Sequence, residues 1–422
     1  MTETAASVSS EPFAERSPAG GPPAERQDPS SRPLAQRGAV PSEPLPTETP
    51  ASAQEVAELL RSCSEEGRRV RIVGGATKLG WGNPVEADLR LSTSGLTEIV
   101  EHDPGDLTAV LQPGLPLAEA QAAFARAGQR LSLDPPLGED EGATIGGVVA
   151  AGDLGPLRHR FGAIRDLVIG VVVALPDGTL ARAGGKVIKN VAGYDLAKLN
   201  AGAFGTLGVV VEVCVRLHPL PQQTASAAAS TEDPAALARA ARRIAHSPLE
   251  SEALDVAWRD GQGGVLARYA GETAPEQARD AAALLEEEGL PAHVHEDDGK
   301  PWAQQRAGQR SPDGVLIGVA GLLGDLERVV SLAEETGGAL VGRAAIGTTW
   351  LRLPEADLAS VERVRHALAP HACTVLDAPE EMRAALDPWP TLEPGLLALS
   401  RRLKERFDPD GVCNPGLFAG GL

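Results

Sequence analysis

Lys186-Val-Ile-Lys-Asn-Val-Ala-Gly-Tyr-Asp-Leu-Ala-Lys-Leu-Asn-Ala-Gly-Ala-Phe-Gly-Thr-Leu-Gly-Val-Val-Val-Glu-Val213 is the stretch whose reading decides the fold. Its first part reads as a loop entering a short helix, and its end, Leu207 to Leu217, as a buried strand. Between them stand Gly193, Gly202, Gly205 and Gly208. Glycines this dense beside a strand mark positive-φ turns or a backbone that comes close to something. A large flat ligand carrying a diphosphate needs such a site. One glycine reads as an ordinary loop residue; a block of four argues for more.

Working outward, the composition narrows the class. The 422 residues carry a net charge of −19, and 42% are hydrophobic but only 3% aromatic. The length suggests two or three domains, with cores built from Val, Leu, Ile and Ala. The negative charge argues against nucleic acid, since phosphate binding wants a basic surface. Cys63, Cys214, Cys373 and Cys413 are scattered, without C-x-x-C spacing, which speaks against zinc or iron–sulfur sites within the chain and for reduced thiols in a cytoplasmic protein. The sequence shows neither an apolar run of membrane-spanning length nor a secretory leader pattern.

Residues 1–50 hold ten prolines and read as a disordered tail. From Ser52 the pattern is regular. Ala53 to Glu66 has a helical face of Val56, Leu59, Leu60 and Cys63, with Ser52 as N-cap and Gly67 as stop. The short strand Val70 to Val73 runs into Gly74-Gly75-Ala76-Thr77-Lys78. Backbone N–H groups of such a turn can converge on an anion, with the Thr77 hydroxyl and the Lys78 charge in support. The loop is neither a Walker loop nor a G-x-G-x-x-G opening a long helix. Strands follow near 87–91, 98–102 and 107–112, then a helix from Leu117 to Ala127. Gly138 ends a rigid turn, and Thr144-Ile145-Gly146-Gly147 starts a segment closed by Gly152, where a helix start can lie against a ligand.

Residues 222–378 show a repeat. Each half reads strand, helix, strand, strand, helix, strand, which is the ferredoxin-like order. Two halves can share one antiparallel sheet with helices on one face, so the fold class is α+β.

Lys189-Asn-Val-Ala-Gly-Tyr-Asp195 and Gly202-Ala-Phe-Gly-Thr-Leu-Gly208, with Thr144-Ile-Gly-Gly147, Gly155-Pro156, Arg165-Asp166 and Phe407-Asp-Pro-Asp-Gly-Val-Cys-Asn-Pro-Gly416, resemble the flavin domain of the vanillyl-alcohol oxidase/PCMH superfamily. Within it the chain looks most like the FAD-binding E-type subunits of bacterial glycolate oxidases. The resemblance implies a PCMH-type FAD-binding domain of two α/β subdomains at 51–221, a cap at 222–385 and a return to the FAD domain at 386–422. It implies FAD at Gly74, Gly75, Ala76, Thr77, Lys78, Gly138, Thr144, Ile145, Gly146, Gly147, Gly152, Gly202, Gly205, Thr206, Val209 and Asn414. No covalent-flavin His stands in the Thr77–Gly80 segment, so non-covalent FAD is expected.

The catalytic expectation is thinner. Tyr194, with Asp195, belongs to the Gly-Tyr-Asp signature and reads equally as a flavin neighbour or a loop support. Arg158 and His159 can hold a substrate carboxylate or form a basic surface loop. The metal-binding His motif that the resemblance calls for in the cap is missing. His293 and His295 face one side of a strand but read more naturally as surface residues, so no metal is expected. The reading is a subunit oxidising a small 2-hydroxy acid beside a catalytic flavin subunit and an iron–sulfur subunit, cytoplasmic or peripheral at the inner face of the membrane through those partners. The alternatives are a free-standing D-2-hydroxyacid dehydrogenase and a non-catalytic scaffold.

Overall fold

The computed structural model describes residues 45–186, 195–311, 313–355 and 357–422. The helix Ala53–Glu66 forms where its periodicity places it: the Ser52 hydroxyl accepts from the Glu55 N–H, and Gly67 closes it at φ 67°. It packs on a small parallel sheet, β1 (Thr47–Glu48), β2 (Val70–Val73) and β3 (Leu89–Ser92), in the order β1-β3-β2. Strand β1 lies inside the segment read as a tail. The carbonyl of Pro50 also fills the space beside Gly95, so the ordered chain starts before residue 50. Two residues of strand carry too little pattern to stand out from a proline-rich stretch.

The second subdomain is an antiparallel sheet in the order β4-β5-β9-β7-β8. Its strands are β4 (Ile99–Asp103), β5 (Thr108–Leu111), β7 (Val168–Ala174), β8 (Leu180–Gly184) and β9 (Val209–Arg216); a short ribbon, β6 (Gln129–Arg130) with β10 (His218–Pro219), lies outside it. β9 is central and, apart from Glu212 and Arg216, apolar, because both faces are covered. Val209 and Val211 pack toward the helix Ala53–Glu66, while Val210 and Val213 pack toward the helices Leu117–Ala125 and Ile145–Ala151.

The cap is one eight-stranded antiparallel sheet of β11 (Thr224–Thr231), β12 (Ala253–Arg259), β13 (Gln262–Ala270), β14 (Ala292–His295), β15 (Val315–Ala320), β16 (Ala339–Arg343), β17 (Thr348–Leu353) and β18 (Ala372–Asp377). Its order, β14-β11-β13-β12-β16-β17-β15-β18, is two ferredoxin-like halves joined edge to edge through β12 and β16, so the two halves mirror each other in strand order. The helices Pro234–Ala245, Ala274–Glu287, Leu326–Glu335 and Leu358–Leu368 bury one face over a single apolar core. Across the other face, the helix Gly299–Ala307 seats Trp302 against Ala253 and Leu266, and Leu154 of the first domain meets Leu316 and Trp350. The helix Pro394–Phe407 then leads back to the first domain.

Candidate functional site

The C-terminal segment locks the two subdomains together. The carboxylate of Asp408, 1% exposed, accepts the N–H groups of Val412 (2.9 Å) and Cys413 (2.8 Å). It is held in turn by Lys404, whose ammonium also reaches the carbonyls of Thr206 and Cys413. This turn delivers Asn414 at φ 41°. Its side-chain oxygen accepts from the Ile72 N–H at 2.9 Å, and its amide nitrogen donates to the Phe204 carbonyl at 2.7 Å. Asn414 therefore pins β2, the turn after Gly202 and the C-terminus to one point. Phe204 makes an edge contact with Trp389, which leans on Phe418.

Around that point runs a cleft whose two ends share Ile72, Gly74, Gly147, Ala150, Phe204 and Asn414 as walls. Its mostly apolar lining with a few polar groups is that of a cofactor site. Gly74, Gly75, Ala76, Thr77, Lys78, Thr144, Gly146, Gly147, Gly205, Val209 and Asn414, all expected from the sequence, line it. The other five stand behind. Gly138 lies over the Thr77 methyl, and the Ile145 side chain is in the core. Gly152 ends its helix at φ 62° against Gly202, and the Thr206 hydroxyl donates to the Ala203 carbonyl at 2.7 Å. Tyr194 falls outside the described residues. Ile72, Phe204 and Ala150 were missed, because an apolar wall residue looks like any core residue in sequence.

The loop after β2 fits a diphosphate. Among the described residues, the N–H groups of Gly75, Ala76, Thr77 and Lys78 have no protein acceptor, and Ala76 takes the left-handed φ of 58° that turns successive N–H groups the same way. Gly75 is required for a second reason: a Cβ there would stand 1.6 Å from the Gly142 carbonyl oxygen. Lys78 behaves differently from the expectation of a free phosphate-binding charge. Its ammonium is 3.0 Å from the Asp153 carboxylate, and both side chains are nearly buried. From the cap, Arg310 donates to the Thr77 carbonyl (2.9 Å) while gripping Asp377, which accepts the Trp81 indole N–H.

Arg158 and His159 occupy a different place. They lie at the seam between the domains and line neither end of the cleft. His159 Nε2 is 3.0 Å from the Ser251 hydroxyl, and its Nδ1 is buried without a partner. Burial, then Arg160, lowers its pKa, so the ring is neutral at pH 7. Burial likewise lowers that of Arg158.

The same seam holds a charge network that the sequence did not reveal. Arg343, fully buried, donates to Asp255 and Gln309, and Gln309 donates to the Leu154 carbonyl. Asp134 accepts from the Leu157 N–H, and burial raises its pKa to about 6. Burial raises Asp255 to about 7 against the pull of Arg343. Partners 88 residues apart leave no local signal. His293 and His295 touch ring to ring at 4.8 Å on β14. Among the described residues no three His, Cys, Asp or Glu side chains are grouped to hold a metal ion, and no helix is long and apolar enough to cross a membrane.

A two-part flavin domain with a glycine loop at its cleft and a twinned ferredoxin-like cap define a PCMH-type FAD-binding protein. The comparisons agree. Residues 44–184 match the FAD binding domain family and residues 390–417 the C-terminal domain of FAD linked oxidases. The chain is an FAD-linked oxidoreductase of this type, with FAD as its cofactor. It is 28% identical over 424 residues, 90% of this chain and 92% of the relative, to an FAD-linked oxidoreductase of Mycobacterium tuberculosis strain H37Rv whose name calls it uncharacterized. It is 37% identical over 174 residues to glycolate oxidase subunit GlcE of Escherichia coli K12, covering 41% of this chain and 49% of that one. With glycolate oxidase subunit GlcD of Bacillus subtilis it shares 39% over 176 residues, 41% of this chain and 37% of that one. The fold is also that of an alkyldihydroxyacetonephosphate synthase structure, with a TM-score of 0.67 at 17% identity over 87% of this chain and 75% of the other.

Proposed function

We propose that this chain is the FAD-binding subunit of a glycolate oxidase-like complex that oxidises a small 2-hydroxy acid, glycolate to glyoxylate. The observation that carries the reading is the 37% identity to subunit GlcE; the cleft supports it by fitting the cofactor. Bound FAD would supply the hydride-accepting chemistry. The chain's own residues would do the rest. The N–H groups of residues 75–78 hold the diphosphate, and Asn414 keeps β2 and Phe204 in register around the cleft. Neutral His159 serves as proton acceptor and Arg158 as carboxylate partner at the seam, with Tyr194 as the third candidate. A catalytic flavin subunit and an iron–sulfur subunit complete the proposal, since the four cysteines of this chain are single and buried and electrons need an exit. Non-covalent attachment of FAD is part of the same reading.

A free-standing D-2-hydroxyacid dehydrogenase is the second reading, favoured by 36% identity over 171 residues to a D-lactate dehydrogenase of Archaeoglobus fulgidus. The test is the purified chain's visible spectrum and turnover of glycolate and D-lactate with an artificial acceptor, alone and with co-purified partners. FAD in the chain and turnover only in the complex are expected. Turnover alone near the common enzyme rate of about 10 s⁻¹ would establish the second reading, and a colourless protein that takes up no FAD would overturn both.

A further inference from the structure

Lys78 is the cation expected to meet the cofactor's phosphates, and Asp153 already neutralises it. Two negative phosphates at the loop therefore need charge from elsewhere. Arg71 is the cation that remains among the cleft-lining residues. It stands on β2, on the strand face opposite Val70 and Ile72, three residues ahead of the glycine loop. Its Nη2 donates to the Leu79 carbonyl at 3.1 Å, and its Nη1 is buried with no acceptor. Arg383, in the helix Glu380–Ala385 whose Met382 packs into the cap core, donates from Nη1 to the next carbonyl along, Gly80, at 3.4 Å; its Nε is also buried without a partner. Arg90 sits across from Arg71 in the β2–β3 register.

Among the described residues none of these three arginines is paired with a carboxylate. Four other arginines enclosed by the fold do have carboxylate partners: Arg343 with Asp255, Arg310 with Asp377, Arg130 with Glu252 and Arg268 with Asp298. Burial and the neighbouring charges of Arg90 and Arg383 push the pKa of Arg71 down to about 10, as three cations gathered without an anion require.

We propose that Arg71 and Arg383, with Arg90 beside them, form a phosphate-binding site at the outer end of the cleft, next to the glycine loop. Guanidinium forks match phosphate oxygens two at a time, and both arginines keep a donor free for that purpose. The phosphate belongs either to the diphosphate of FAD or to a separate phosphorylated molecule bound beside it. In the first case the inference deepens the FAD reading; in the second it stands apart from it.

The experiment is thermal unfolding of the full chain, freed of FAD and then reloaded, with inorganic pyrophosphate or phosphate added against sodium chloride of equal ionic strength. A ligand of the native state raises the midpoint. Pyrophosphate at millimolar concentration is expected to raise that of the FAD-free protein by about 2–4 °C. The rise should be lost in Arg71→Met and in Arg383→Gln. Both variants should be at least as stable as the parent in chloride, because each relieves repulsion among cations; a merely structural arginine would destabilise on removal. If loading with FAD abolishes the pyrophosphate effect, and both variants bind FAD at least tenfold more weakly by flavin fluorescence, the phosphate is the cofactor's. If phosphate still stabilises the FAD-loaded protein, and FAD affinity is unchanged in the variants, the ligand is separate. No anion effect beyond chloride, or an effect equal in parent and variants, overturns the site. Failure to bind FAD would overturn the proposed function but leave the pyrophosphate result readable. Arg383→Gln keeps the test open should Arg71→Met not fold.

Discussion

Lys78 shows how a single residue can be placed correctly in sequence and still be given the wrong neighbour. A lysine after a glycine loop suggests an ammonium waiting for phosphate. The structure gives it Asp153, 75 residues away, in a pocket where both side chains are nearly closed off from water. Removing one member of a buried ion pair strands the other and costs about 3–5 kcal/mol. Lys78→Met should therefore lower the unfolding free energy by that order, measured in urea, and adding Asp153→Leu should recover most of it. If Lys78→Met leaves stability unchanged but strips FAD from the protein, the lysine serves the ligand rather than the fold. Asn414 carries the opposite lesson. The Cys-Asn-Pro-Gly tail marked it as important, yet its side-chain bonds all go to backbone, to Ile72 and Phe204. A signature residue can line a cleft and hold the cleft's walls in place at the same time.

At the scale of elements, legibility follows the strength of the local pattern. The helix Ala53–Glu66 was readable because Ser52, the 3.6-residue stripe and Gly67 agree, and all three do in the structure what the pattern implies. The cap halves were readable because strand and helix periods alternate in one order twice. The helix Gly299–Ala307 was not: its apolar residues make no stripe, and its place is set by Trp302, whose indole N–H donates to the Ser226 hydroxyl, itself bonded to Asp298. β1 was missed for want of length. Its role is testable by truncation. A chain starting at residue 45 should match the full chain in melting temperature and FAD content. One starting at residue 51 loses β1 beside β3 and the Pro50 carbonyl beside Gly95, and should melt several degrees lower; equal midpoints for the two would show that β1 contributes nothing to the first subdomain.

In the whole molecule the cap does more than cover the flavin domain. Arg310 and Asp377, both from the cap, close on the Thr77 carbonyl and the Trp81 indole, so the loop proposed to hold the diphosphate is braced from the domain opposite. The Arg310 guanidinium also lies 5.3 Å from the Trp81 ring centre. None of this is local in sequence: the Arg310–Thr77 and Trp81–Asp377 bonds each join residues more than 200 positions apart. Pattern reading can assign each domain yet stay silent on how one holds the other. The bracing has an energetic consequence. A loop whose N–H groups must converge on an anion binds it well only if the convergent form is already dominant, and every alternative form that it visits when free weakens apparent affinity in proportion. Arg310→Ala removes the bond to Thr77 and, among the described residues, leaves Asp377 with the Trp81 indole and the Ser311 N–H. It should weaken FAD binding about tenfold, the effect of roughly 1.4 kcal/mol, with little change in the melting temperature of the FAD-free protein, since the arginine is partly exposed. Asp377→Asn should give the same loss, and the double variant little more, because both act through one brace. Titration of the FAD-free proteins by flavin fluorescence decides it: if affinity in both single variants equals that of the parent, the cap and the phosphate loop are neighbours without being coupled.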